Sequence, residues 1–156
     1  MSDTPKPGPE HEKLHRLAGR WVGEETLSAS PWGPGGPAIG RYEARVDVDG
    51  FCVIQEYVQE RNGRASYRAH GVLGWNQPEA CVVWYWVDGM GPAPTTAARG
   101  HWEGDALVLE NLGSPGTRGR YTYRLQGDEL LTFTLENSAD DGQSWTTLLH
   151  ASYRRA

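Results

Sequence analysis

From Arg20 to Tyr153 apolar and polar residues alternate with a period of two, which predicts strands and no helix across that span. Turn residues break the alternation at short intervals. "WGPGGP" (32–37) predicts a loop, while "DG" at 49–50 and "NG" at 62–63 predict tight hairpins, because such pairs accept the positive φ of primed turns. Further breaks fall at "NQPE" (76–79), "DGMGPAP" (88–94), "EGD" (103–105), "SPGTRG" (114–119), "QGD" (126–128) and "DDGQ" (140–143). The pieces between them predict ten strands, over 20–29, 40–49, 51–61, 64–75, 80–87, 95–103, 105–112, 119–126, 129–137 and 144–154. Ahead of them, "EHEKLHRLAG" puts Leu14, Leu17 and Ala18 on one face, which predicts a short helix over 10–18 ending at Gly19.

Every link between strands is hairpin-length or a modest loop, so the expected sheet is an antiparallel meander. A ten-strand meander leaves two raw edges, and closure into a barrel removes them. Eight strands enclose a space that side chains just fill, whereas ten leave room for a ligand. The competing β-sandwich needs Greek-key crossovers that these links do not provide. The expectation is therefore all-β: a flexible arm over 1–9, then one domain over 10–156, an antiparallel barrel of about ten strands capped by the N-terminal helix.

Composition narrows the function. The chain has 156 residues, a net charge of -5 and a pI near 5.5, which argues against a nucleic-acid partner. No apolar run is long enough to span a membrane, and "MSDTPKPGPEHEK" lacks a signal-peptide core, so a soluble cytoplasmic protein is expected. Cys52 and Cys81 lack metal-motif spacing and are expected reduced within strands. Seven Trp and seven Tyr supply large apolar area with polar tips that want partners.

Two resemblances bear on the fold. "GRWVGEE", with Gly19, Trp21 and Gly23, resembles the opening of the calycin group, which includes lipocalins, fatty-acid-binding proteins and nitrobindins. That resemblance implies that Trp21 plugs the closed end of the barrel, as a marker of fold rather than a catalyst. More of the chain is similar to a bacterial family catalogued as domain of unknown function 1579. The similarity is carried by "GPEHEKLHRLAGRWVGEE", "SPWGPGGPA", "AHGVLGW", "WYWVDGMG", "ARGHWEGD" and "TLENSADDGQSW" followed by "YRR". It implies a calycin-like barrel and brings no activity, so no catalytic residue is assigned from it.

Candidate chemistry concentrates in a few places. "HEKLH" (His11 to His15) spells a zinc-protease pattern, but two helical turns at a chain end supply neither the third ligand nor the cleft. In the fourth predicted strand Tyr67, Ala69, Gly71, Leu73 and Trp75 alternate against Ser66, Arg68 and His70. In the fifth, Val82, Trp84 and Trp86 alternate against Val83, Tyr85 and Val87. Both of its faces are apolar, so one is expected to line a cavity and the other to meet a helix, a loop or a second copy in a homodimer. Gly and Ala opposite Trp leave space that a filled core would not.

Polar groups inside such a cavity orient a ligand. Glu25 shares parity with Trp21, Gln55 and Tyr57 with Val53, and Asn137 with Phe133 and Leu135. Glu25, Tyr57, His70 and His150 are the groups considered for convergence. Nitrobindins carry a late-strand histidine on haem iron, and His150, followed by "YRR", raises the same possibility here. Parity argues against haem: Trp145, Leu149 and Tyr153 form the more apolar face, which turns His150 outward unless that face packs on a partner. The expected function is binding of a small apolar or aromatic molecule without a cofactor, through Trp21, Glu25, Tyr57, Tyr67, His70, Trp75, Trp84, Trp86 and His150. Its rivals are a cyclase or isomerase using Glu25 or a histidine, and a filled barrel that serves only as a partner-binding module.

Overall fold

Each stretch of period-two alternation forms a strand, and each strand pairs antiparallel with its neighbours in sequence. The computed structural model describes residues 3–31 and 33–156; Met1 and Ser2 of the expected arm and Trp32 of the expected 32–37 loop lie outside the described residues. In chain order the elements are α1 (Pro9–His15), β1 (Gly19–Leu27), β2 (Gly36–Asp47), β3 (Cys52–Arg61), β4 (Arg64–Asn76) and β5 (Cys81–Asp88). They continue with β6 (Ala98–Glu103), β7 (Ala106–Leu112), β8 (Arg118–Gln126), β9 (Leu130–Ser138) and β10 (Thr146–Arg155). β10 returns to β1, from Trp21 opposite Arg155 to Leu27 opposite Leu149, and this pairing closes a ten-strand meander barrel.

The turns follow local chemistry. Asn62 and Gly63 have φ of 52° and 74°, as a primed two-residue hairpin requires. The 49–50 turn differs from its expectation: Val48, Asp49 and Gly50 form a 3₁₀ turn in which all three have positive φ. The Asp47 carboxylate fixes its start by accepting from the Val48 amide at 2.7 Å. Gly50 is needed there twice over, since its φ is +90° and an added Cβ would lie 2.8 Å from Pro7 Cγ. The helix is shorter than expected. After His15 the Leu17 and Ala18 amides donate three residues back, at 3.0 and 3.1 Å, and tighten the chain toward Gly19. β6 also starts later than expected, at Ala98 rather than at residue 95.

α1 lies against β3 and β4 and closes one barrel end. Leu14, Leu17 and Trp21 are buried beneath it, and the Trp21 indole N–H donates to the Leu17 carbonyl at 3.1 Å. Arg155 lies over the face of that indole, 4.3 Å from the ring centroid, and donates to the Ala18 carbonyl at 2.8 Å. The plug is thus tied to the first and last strands together. Above it Val53, Leu73, Val82, Leu107, Leu109 and Leu131 are fully buried. Each such side chain contributes about 1.5–3 kcal/mol of burial energy, so this half of the barrel is the stable core.

Outside, ion pairs such as Arg20–Glu43 at 2.7 Å and Arg99–Glu79 at 2.8 Å are solvent-exposed and contribute little. β5 and β6 share only three register pairs, Val82–Gly100 to Trp84–Ala98. Beyond them Tyr85 and Val87 stand exposed on the outer wall of β5. Among the described residues no helix is long and apolar enough to cross a membrane.

Candidate functional site

At the end opposite α1 the barrel is open. A cavity of about 630 Å³ enters between the segment after β1, the β3–β4 hairpin and the segment after β5. Strand alternation aims its lining inward: Tyr42 from β2, Tyr57 and Gln59 from β3, Tyr67 from β4, and Trp84, Trp86 and Asp88 from β5. Tyr121 and Tyr123 of β8, Phe133 and Leu135 of β9, and Leu149 and Tyr153 of β10 complete the far wall. A register shift between Thr147 and Leu149 turns Leu148 into the cavity as well, which strict alternation would forbid.

Beneath these aromatics lies a carboxylate. Glu25 is 1% exposed, and every hydrogen bond it makes is one it accepts. The Tyr57 hydroxyl reaches both its oxygens, at 2.7 and 2.6 Å, Gln59 Nε2 donates to Oε1 at 3.0 Å, and the Tyr153 hydroxyl donates to Oε2. Among the described residues no cation lies within ion-pair distance of it. Burial, and then the neighbouring Glu25 charge, push the Tyr57 and Tyr153 hydroxyls far above the ordinary phenol range. Both remain neutral donors.

Two further networks fix the aromatic wall. Gln55, fully buried, donates through Nε2 to the Tyr42 and Tyr123 hydroxyls at 3.1 and 3.2 Å, while its Oε1 accepts from the Trp84 indole at 2.8 Å. This contact depends on Gly71, where an added Cβ would overlap Gln55 Oε1 and lie 3.0 Å from the Trp84 nitrogen. Nearer the mouth the Trp86 indole donates to the Tyr67 hydroxyl at 3.0 Å, and that hydroxyl donates to Asp88 at 2.6 Å. Burial first and the Asp88 hydrogen bond second hold the Tyr67 proton in place. Trp84 packs on Trp86 and edge-on to Tyr121, both at 4.9 Å between centroids, so the rings brace one another.

The structure divides the nine residues singled out in the sequence. Tyr57, Tyr67, Trp84 and Trp86 line the cavity, and Glu25 lies directly behind Tyr57 and Tyr153. Trp21 and Trp75 belong to the closed end: Trp21 is the plug, and the Trp75 indole donates to Gln77 at 2.8 Å. His70 and His150 lie away from the cavity lining. Strand period places His70 on the face opposite Tyr67 and Gly71, where it contacts Glu56 at 2.8 Å on the outer wall. His150 lies on the face opposite Leu149 and Ala151, outside the barrel, against Thr134 at 3.2 Å. It is therefore not placed to ligate a haem iron within the barrel, and among the described residues no histidine lines the cavity.

In "HEKLH", His11 Nδ1 instead accepts from the Gly8 amide at 3.0 Å and His15 Nε2 meets the Gly50 carbonyl at 2.8 Å. No group of three or more metal-ligating side chains occurs among the described residues. Sequence reasoning did not single out Tyr42, Tyr121, Tyr123 and Tyr153. For Tyr121 and Tyr123 the signal was present in "RGRYTYRLQ", where they and Leu125 alternate against basic and polar residues.

Similar folds occur in solved structures. Rv2717c from M. tuberculosis superposes with a TM-score of 0.68 at 20% identity, covering 96% of this chain and 98% of that one. The S-type phycobiliprotein lyase CPES from Guillardia theta superposes with a TM-score of 0.64 at 9% identity, again over 96% and 98% of the two chains. At these identities the likeness concerns the fold alone. No curated protein matches the sequence significantly. The profile of one family spans residues 6–155, and by that match the chain belongs to the family described as protein of unknown function DUF1579.

Proposed function

We propose that this barrel binds a small aromatic or apolar molecule in its open half. The observation that carries the reading is the cavity of about 630 Å³, which lies within the ~300–1,000 Å³ typical of ligand sites and is walled by aromatic rings. The closed half of the same barrel shows the alternative, an interior packed solid by leucine and valine side chains. Polar handles are few and fixed. The Tyr121 and Tyr123 hydroxyls accept from Asn111 and Gln55, which leaves each phenol proton for an acceptor atom on the ligand. The likeness of fold to a phycobiliprotein lyase supports a barrel built around a guest. The unpaired thiols of Cys52 and Cys81 suit a reducing, intracellular compartment.

Binding is favoured over catalysis because Glu25 is enclosed by three donors and reaches the cavity only through Tyr57, Gln59 and Tyr153. Native mass spectrometry of freshly purified protein, with titration of tryptophan emission by small aromatic probes, tests the reading. A retained small molecule, or saturable quenching that Trp86→Ala weakens, is the expected result. Bare protein with no saturable response to any probe would overturn it, and turnover of a retained molecule would move the assignment to an enzyme.

A further inference from the structure

We infer that the group recognised at the Tyr57–Tyr67–Trp86 side of the cavity is an organic cation, an ammonium or an alkylated ammonium. The inference rests on the cavity being a ligand site and adds the charge of the ligand. Two carboxylates serve this side. Glu25 lies buried behind Tyr57, and Asp88 lines the cavity beside Tyr67. Neither has a Lys, Arg or His partner among the described residues, although exposed carboxylates of the same protein, such as Glu43 and Glu79, do. Glu25 is an anion in a water-poor interior without a counter-charge, while Asp88 is half-buried nearer the mouth and also accepts from the Met90 amide at 3.0 Å. Both leave negative potential in the adjoining space, Glu25 the more strongly.

The aromatic rings transmit that potential. The Tyr57 hydroxyl donates its hydrogen bond to Glu25 and the Tyr67 hydroxyl donates its own to Asp88. Each hydroxyl is thereby spent as a donor, and its oxygen and ring become richer in electrons. Tyr57 stands 5.9 Å from Tyr67 at 65° and 6.1 Å from Trp86 at 45°, so the three rings pack together along one side of the cavity that all of them line. Three inclined rings with carboxylates behind them make a seat for a cation, which gains from ring faces within about 6 Å.

A ligand carboxylate would meet the opposite conditions there: two anions and no uncommitted phenol proton on that side. Among the described residues lining the cavity Arg61 is the one cation, and its Nη1 donates to the Pro34 carbonyl at the mouth at 3.0 Å. That exposed hydrogen bond engages the guanidinium at the mouth.

The test uses the full-length protein and three probes of similar shape: benzyltrimethylammonium, its neutral carbon isostere neopentylbenzene, and phenylacetate. Binding is followed by quenching of tryptophan emission. The cation should bind about ten-fold more tightly than the neutral isostere, with phenylacetate weakest. Asp88→Asn should narrow the gap between cation and isostere several-fold, and Glu25→Gln should narrow it too if that variant folds. Equal binding of cation and isostere, or preference for phenylacetate, overturns the inference and leaves the cavity reading standing. A cation preference undiminished in Asp88→Asn overturns this placement of the seat. If none of the three binds, the inference falls, and the cavity reading is then decided separately by whether native mass spectrometry finds a retained molecule.

Discussion

The Tyr153 hydroxyl in the last strand donates to the Glu25 carboxylate in the first, joining residues 128 positions apart across the seam that closes the barrel. β1 and β10 are held by their ladder over seven register pairs, and this buried contact ties the interior side of the same seam. Removing the hydroxyl leaves a buried carboxylate short of one donor. Tyr153→Phe should therefore cost about 1.5–3 kcal/mol, the range for a hydrogen bond to a charged group. Glu25→Ala, which strands two phenols and an amide at once, should cost about 3 kcal/mol or more. Urea denaturation measures both. A Tyr153→Phe midpoint indistinguishable from wild type would show that the seam does not depend on this contact.

Gly40 of β2 is the floor on which that carboxylate rests. An added Cβ would overlap the Glu25 carboxyl group and lie 2.8 Å from Tyr153 Cε1. Both neighbours are pinned by hydrogen bonds and have nowhere to retreat. Gly40→Ala should destabilise by about 1–3 kcal/mol, the usual cost of overpacking a core. Gly74→Ala is the matched control, because its Cβ would meet only the Phe51 carbonyl oxygen at 3.8 Å. It should stay within about 0.5 kcal/mol of wild type. Thermal melts that rank the two variants equally would refute the packing argument.

Much of this was legible in the sequence because a strand's two-residue period writes inside and outside directly into the order of residues. The same rule that put Tyr67 and Trp86 in the cavity wall shows why His70 does not belong there, since His70 sits one residue from Gly71 and faces the other way. Leu148 escaped the rule because a bulge is a local slip in register that no alternation encodes. Glu25 was legible as inward-facing, but its three donors come from β3 and β10, and only closure of the barrel brings those strands together. The cavity itself was legible only as spare volume. Its shape depends on Gln55 reaching three aromatic partners across the interior, which needs coordinates rather than spacing.

Six tyrosines with raised phenol pKa values make the fold sensitive to alkali. Burial pushes Tyr42 up to about 12 from an ordinary value of 10.0, and Tyr57, Tyr67, Tyr121, Tyr123 and Tyr153 are raised as well, with burial the largest cause in each. Below pH 10 these phenols are protonated whether the chain is folded or not, and their contribution is fully present. Above it the unfolded chain releases protons that the folded chain retains, so stability falls as pH rises toward 12. Circular dichroism and tyrosinate absorbance, recorded together, should show most of the phenolate appearing as the barrel unfolds. Tyrosinate forming smoothly in a barrel that keeps its dichroism would contradict the buried placement.

At the acid end one sensitive group is Asp140, in the turn between β9 and β10. Its carboxylate accepts from the hydroxyl and the amide of Ser144 and from the Ser138 hydroxyl, and the Ser138 oxygen in turn accepts from the Gly142 amide at 2.8 Å. The turn leads into Trp145, whose ring lies 4.0 Å beneath the Arg120 guanidinium. The Ser144 hydroxyl first, and then the Ser144 amide, hold the Asp140 carboxyl down at about 2, from an ordinary 3.8. A depressed value means that the unfolded chain binds the proton more readily, so the contribution is present above pH 3.8 and is lost as pH falls toward 2. Asp140→Asn keeps the shape of the side chain and removes the titration. Wild type should therefore lose stability faster than Asp140→Asn between those two pH values, as measured by urea denaturation at each. Parallel curves would show that the turn does not depend on the ionised carboxylate.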